Sequence, residues 1–190
     1  GTLLPLLESA RGATPEEEPL PPERLRLPRG IDHVVSVDQG SLGRTARGNP
    51  ATYLGVWDAF RKALSGTPLA KERGYQAGFF SFNVEGGRCE TCRGEGAETV
   101  EMQFLSDVTF SCATCQGRRF VGPVLDVRLG DHNVADLLEL TVTRALALHG
   151  HIKAVRTGLE PLARLGLGYL RLGQSLATLS GGEAQRLKLA

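Results

Sequence analysis

The chain has 190 residues, 41% hydrophobic and 23% charged, with a formal net charge of +1; that is room for one domain with a buried core and at most a small second unit. No run approaches the roughly 20 apolar residues of a membrane-spanning helix, and the N-terminal residues lack the charged, apolar and small-residue series of a secretory signal. The cytoplasm is therefore the expected compartment, with no membrane partner. Charge is uneven: residues 1–40 hold four Arg against seven acids, and residues 141–190 hold seven Lys and Arg against two. That basic end suits either a phosphate-bearing partner or a solvated helical face.

In chain order, residues 3–10 (LLPLLESA) read as a helix fragment. Residues 11–30 combine five prolines with the run Glu16-Glu17-Glu18 and read as a mobile linker, because proline breaks both helix and central strand. Residues 31–38 (IDHVVSVD) predict a strand, followed by the glycine- and arginine-bearing loop QGSLGRTARGNP. A helix is expected over 52–64, with Tyr53, Val56, Trp57 and Phe60 on one face at i, i+3, i+4 and i+7. Thr67 caps a short second helix opened by Pro68, and residues 79–84 (FFSFNV) predict a strand.

Residues 97–104 and 121–129 also predict strands. Asn133 and Thr141 are N-cap candidates for NVADLLEL and TVTRALALH. A longer helical stretch over 152–165 is expected to be interrupted at Gly158 and Pro161. The fold class is mixed α/β with an inserted small module.

All four cysteines fall in two CxxC pairs, Cys89–Cys92 and Cys112–Cys115, separated by nineteen residues. That spacing is typical of a four-cysteine zinc site: a two-residue spacer lets both thiolates of one knuckle reach the same ion, and two knuckles complete a tetrahedron. Four protein ligands close the ion, so the zinc is structural. Disulfides and a redox CxxC are the weaker alternatives. From Arg88 to Arg119 the module holds four Arg against five acids, a scaffold more than a polycationic clamp. His33, His132 and the pair His149 and His151 form no catalytic arrangement; the pair is expected to cap a helix end or meet solvent.

Near the C-terminus, Ser180 and Glu183 have the spacing of a capping box at the head of a helix. Gly181 and Gly182 strip side chains from the helix mouth, where bare N–H groups and the helix dipole favour an anion.

LSGGEAQR resembles the signature motif of ATP-binding-cassette ATPases in the form found in the UvrA family. VDQGSLGRTARGNPATY, FNVEGGRCETCRGEG with VEMQFL after it, and GLGYLRLGQSLATLSGGEAQR resemble the second nucleotide-binding half of that family, in the same order. The resemblance implies part of an ATP-binding-cassette ATPase domain, its signature region carrying an inserted four-cysteine zinc module. It divides the chain into a helix end and linker over 1–30, a Q-loop strand and start of the signature domain over 31–85, the zinc module over 86–119, and the helical signature region over 120–190. It implies that Ser180, Gly181, Gly182 and Glu183 meet the γ-phosphate of ATP–Mg²⁺ held by an opposing cassette, from a second copy or second half. Gln39 would be the Q-loop glutamine, and Cys89, Cys92, Cys112 and Cys115 the zinc ligands.

Arg44, Arg47 and Lys71 are basic candidates near the insertion. Implied partners are double-stranded DNA, especially damaged, and a UvrB-like protein through other parts of the full-length molecule; the implied function is damage recognition in nucleotide excision repair. Ala46 and Gly48 depart from the usual family loop and leave open a paralogue in tolerance to DNA-binding drugs. No GxxxxGK[ST] occurs, and no acidic strand end follows LSGGEAQR, so the chain alone is not expected to hydrolyse ATP. A stand-alone zinc interaction module is the rival reading.

Overall fold

The computed structural model describes residues 37, 42, 47–100 and 108–190. The expected helix at 3–10, the linker, most of the strand at 31–38, Gln39, Arg44 and the far end of the strand at 97–104 lie outside the described residues. The chain divides into Gly1–Asp38 and Gln39–Ala190, and the architecture below belongs to the second unit.

The helix expected over 52–64 is two helices, α1 (Pro50–Tyr53) and α2 (Val56–Ser65). Asn49 starts the first: its side chain accepts from the Thr52 N–H at 2.9 Å while the Thr52 hydroxyl accepts from the Asn49 N–H, a reciprocal cap with Pro50 at the position where a missing N–H costs nothing. Gly55, at φ +69°, then turns the chain through the left-handed region and restarts it. The break rotates Tyr53 off the apolar stripe, leaving it 44% exposed, whereas Val56, Trp57, Phe60 and Leu64 are buried. Thr67 caps α3 (Pro68–Glu72) as the sequence predicts.

Two expected strands are not strands. Residues Ala77–Phe80 form a 3₁₀ turn leading into Phe82; Phe80, Ser81 and Phe82 are all buried, so the segment does not alternate, and no strand among the described residues pairs with it. In the stretch 121–129, Gly122 (φ +68°) and Pro123 open a second 3₁₀ turn, Gly122–Asp126. Proline offers no N–H to a ladder. Of the expected strand, Arg128–Leu129 alone are paired in one.

Among the described residues the strands form two antiparallel hairpins: β1 (Ala97–Val100) with β2 (Val108–Ser111), in register Ala97↔Ser111 and Val100↔Val108, and the two-residue pair β3 (Arg128–Leu129) with β4 (His132–Asn133). Both predicted caps of the next helices are present. The Asn133 side chain accepts from the Ala135 and Asp136 N–H groups to open α4 (Val134–Glu139), and Thr141 accepts from the Arg144 N–H to open α5 (Val142–His149).

The helix α6 (Lys153–Arg164) runs without interruption through Gly158 and Pro161. The carbonyl that Pro161 cannot serve belongs to Thr157, an exposed residue, so the lost bond is not buried. Gly158 is needed for packing: a Cβ there would lie 2.4 Å from Val56 Cγ1, so glycine lets α6 settle against α2. Gly158→Val is expected to cost about 2 kcal/mol or more, the overpacking penalty of a rigid contact, read as a lower midpoint in urea unfolding of the chain. The final helix, α7 (Gly181–Leu189), buries only Leu187. No helix of the described residues is long and apolar enough to cross a membrane.

The core is built from α2, α4, α5, α6 and the segment 167–176, with Phe80, Phe82 and Phe120 joining it from the cysteine-bearing side. His149 departs from expectation. It is only 5% exposed, edge-on to Phe60 at 5.4 Å, with the rings of His132 and His151 about it. Burial, then the neighbouring His132 and His151, lower its pKa, which marks a neutral core histidine.

A four-thiol cluster and an open helix mouth

Each CxxC pair is the head of a tight knuckle, and the two knuckles repeat the same backbone. Arg93 and Gly94 after the first pair have φ of +51° and +84°; Gln116 and Gly117 after the second have +52° and +80°. These left-handed turns fold the chain back over its own cysteines: Gly94 N–H donates to the Cys89 carbonyl, Gln116 N–H to the Cys112 carbonyl, and Gly96 N–H to Cys92 Sγ at 3.2 Å. Gly94 has a second reason to be glycine, since a Cβ would meet the Phe82 carbonyl at 2.1 Å.

The hairpin β1–β2 joins the knuckles, and Cys112 N–H donates to the Gly96 carbonyl at its base. All four Sγ atoms lie within 4.8 Å of one another and all four residues are buried. Across the knuckles, Cys92 and Cys115 are 3.7 Å apart and Cys89 and Cys112 4.0 Å. Those spacings are far beyond a disulfide bond. They fit the edge of a tetrahedron of thiolates around zinc, about 3.8 Å for a Zn–S bond of ~2.3 Å. The donor set therefore suits a structural zinc ion, held by four thiolates with no open position. Burial would raise the Cys89 thiol, but N–H groups of Cys92 and Thr91 bring it down to about 7. Burial and the neighbouring Cys92 push Cys115 up to about 12.

Two arginines tie the knuckles to the rest of the unit. Arg47 pairs with Glu95 of the first at 3.4 Å. Arg119, at the end of the second, accepts the Cys89 N–H on its carbonyl. Its guanidinium lies over the Phe82 ring at 5.3 Å and donates to the Gly173 carbonyl at 3.1 Å. Lys71 sits exposed on α3, away from these contacts.

At the other candidate site, Ser180 is the N-cap of α7. Its Oγ accepts from the Glu183 N–H and donates to Glu183 Oε2 at 2.8 Å; its own N–H donates to the same Oε2 at 2.7 Å. Nothing lies within 4 Å of a Cβ built on Gly181 or Gly182, and neither has a positive φ. The fold itself has no use for glycine there, and in a helix glycine costs close to 1 kcal/mol against alanine. The mouth of α7 is open and carries no side chain at its first two positions.

One residue of this site escapes sequence reasoning. The Tyr169 hydroxyl donates to Glu183 Oε1 across fourteen positions of chain. That bond, ahead of those from Ser180, holds the Glu183 carboxyl below its ordinary range. No local spacing marks such a pair; only the return of the chain through 165–172 creates it.

The geometry defines a class: a mixed helix–strand segment in which a buried four-thiol cluster and a serine-capped, glycine-mouthed helix share one unit. Over 82% of this chain and 19% of the other, the structure matches that of UvrA2 from Deinococcus radiodurans, with a TM-score of 0.78 and 52% identity. In sequence the chain is 47% identical to the UvrABC system protein A of Neisseria gonorrhoeae over 92% of its length, and 51% identical to that of Clostridium acetobutylicum over 84%. No family model matches. The chain belongs to the UvrA family and spans about 18% of the length of the curated relatives, 18% and 17% in the two named.

Proposed function

We propose that the chain is the signature-bearing segment of a UvrA-type ATP-binding-cassette ATPase acting in nucleotide excision repair. Residues 31–85 begin the signature domain, 86–119 form a structural zinc module held by Cys89, Cys92, Cys112 and Cys115, and 120–190 carry the signature helix. Ser180, Gly181 and Gly182 receive the γ-phosphate of ATP–Mg²⁺ bound on an opposing cassette, and Gln39 serves as the Q-loop glutamine. The observation that carries this reading is the bare, dipole-positive mouth of α7, where two glycines face open space beside a capped serine. The work of the segment is to couple nucleotide occupancy to the grip on damaged duplex DNA. That grip rests on backbone charge and deformability, not on base readout.

The test is binding of the full-length protein to duplexes with and without a bulky lesion, with ATP, over a range of salt. A preference for the lesion and a linear fall of log K with log salt are expected; no binding above that of an unrelated protein overturns the reading. Cys92→Ala is expected to release zinc and to shift lesion discrimination several-fold while leaving ATP binding within about twofold, because α7 lies outside the knuckles. A paralogue acting in tolerance to DNA-binding drugs is the second reading, supported by the match to a UvrA2 structure and by Ala46 and Gly48. Rescue of a repair-deficient strain after ultraviolet exposure, against rescue of drug sensitivity alone, separates the two.

A further inference from the structure

We propose that Tyr169 is a positioning residue of the signature helix: by donating its phenol proton to Glu183 Oε1 it fixes the carboxylate that commits the hydroxyl and amide protons of Ser180. This rests on the reading of Ser180 as a phosphate-sensing residue. The chain of contacts is complete. Oε1 of Glu183 is taken by Tyr169, and Oε2 accepts both the Ser180 N–H and the Ser180 O–H. A hydroxyl has one proton, so in this arrangement Ser180 has none left for an arriving phosphate. Ser180 becomes a donor to phosphate only by leaving Glu183, and Tyr169 decides how the vacated carboxylate behaves. With the phenol in place, Glu183 has a partner and its negative charge is drawn away from the helix mouth. Without it, a bare carboxylate competes with the phosphate for the Ser180 protons and repels it.

Tyr169 is built to be a fixed post, although it is itself 57% exposed. Its neighbours Leu167, Leu170 and Leu172 are buried, and the Gly168 and Leu170 carbonyls accept from the Thr143 and Val142 N–H groups at the start of α5. A Cβ at Gly168 would lie 2.3 Å from Thr143 Oγ1, so glycine lets the segment dock here without turning the Thr143 hydroxyl. Arg186 secures the other side: its guanidinium donates to the Gly182 and Leu165 carbonyls. The groups that face the Glu183 carboxylate are thus Tyr169 and Ser180, with the Arg186 charge nearby.

The test is Tyr169→Phe in the full-length protein, a loss of one hydroxyl at an exposed ring. The ATP concentration at half-maximal turnover is expected to rise about threefold to tenfold, the worth of one charge-assisted hydrogen bond discounted for exposure, with kcat at saturation within about twofold. Because the phenol is the leading cause of the low Glu183 pKa, its removal raises that pKa, so the Glu183 carboxyl titrates at higher pH in the variant, read by NMR of its side chain. Glu183→Gln combined with Tyr169→Phe is expected to show no further loss. If Ser180→Ala lowers turnover while Tyr169→Phe moves neither half-saturation nor the Glu183 titration, the positioning role is wrong and the signature reading stands. Should Ser180→Ala leave turnover unchanged, the signature reading itself fails and takes the role of Tyr169 with it.

Discussion

Removing zinc with a chelator is expected to unfold residues 86–119 as a unit while α2, α5 and α6 stay folded. The reason lies in what this part of the chain buries. Its own core consists of Cys89, Cys92, Cys112 and Cys115, with Val121 against them. Among the described residues of the hairpin above, Val100, Val108 and Phe110 are all exposed and add nothing to it. A two-stranded hairpin is marginal by itself, and four thiols packed together bury too little apolar surface to offset the entropy of ordering thirty-odd residues. A structural zinc ion supplies on the order of 10 kcal/mol or more, enough to make the difference between folded and unfolded.

Metal binding must also expel protons from the cluster, Cys115 above all, since without the ion its thiol is pushed up to about 12. Acid therefore releases the metal. Hydrogen exchange checks the prediction: amides at 88–96 and 112–119 should lose protection on chelation, and those of α5 and α6 should keep theirs. The same pattern is expected of Cys112→Ser without chelator. Retention of one zinc per chain in that variant sinks the four-ligand assignment.

What the sequence made legible was whatever is encoded locally. The CxxC spacing works because both ligands of a knuckle must reach one point. The caps at Thr67, Asn133, Thr141 and Ser180 were readable because a cap is a hydrogen bond across two or three residues. The misreadings share a different cause. The turn at Gly55 and the 3₁₀ turns at 77–80 and 122–126 hide behind apolar periodicity that a helix, a strand or a turn can all satisfy. Gly158 looked like an interruption because its role, close approach of α6 to Val56, exists only in three dimensions. Tyr169 and Arg119 belong to the same group. Each acts across a loop, on Glu183 and on the Gly173 carbonyl, and nothing in local spacing foretells such a partner.

The second large effect is expected at Gly182, and it should run in opposite directions in stability and in function. A Cβ at this position meets nothing: the space around it is empty to 4 Å and the backbone is in a region open to every residue. Glycine within a helix is disfavoured by up to about 1 kcal/mol relative to alanine, so Gly182→Ala is expected to raise the thermal midpoint of this chain slightly, and Gly182→Leu to leave it within error. In the full-length protein the same leucine fills the mouth of α7, where the proposed γ-phosphate must come within hydrogen-bond distance of bare N–H groups. Loss of two or more such donors at a developing negative charge is worth about a hundredfold or more in turnover, and Gly182→Ala should give a smaller loss in proportion to its single methyl. Differential scanning calorimetry of the chain and steady-state ATP turnover of the full-length protein together decide the matter. A glycine kept for the fold would lower stability when replaced; a glycine kept for a ligand lowers only turnover. Full activity in Gly182→Leu would leave the bare helix mouth without a function and remove the observation on which the ATPase reading rests.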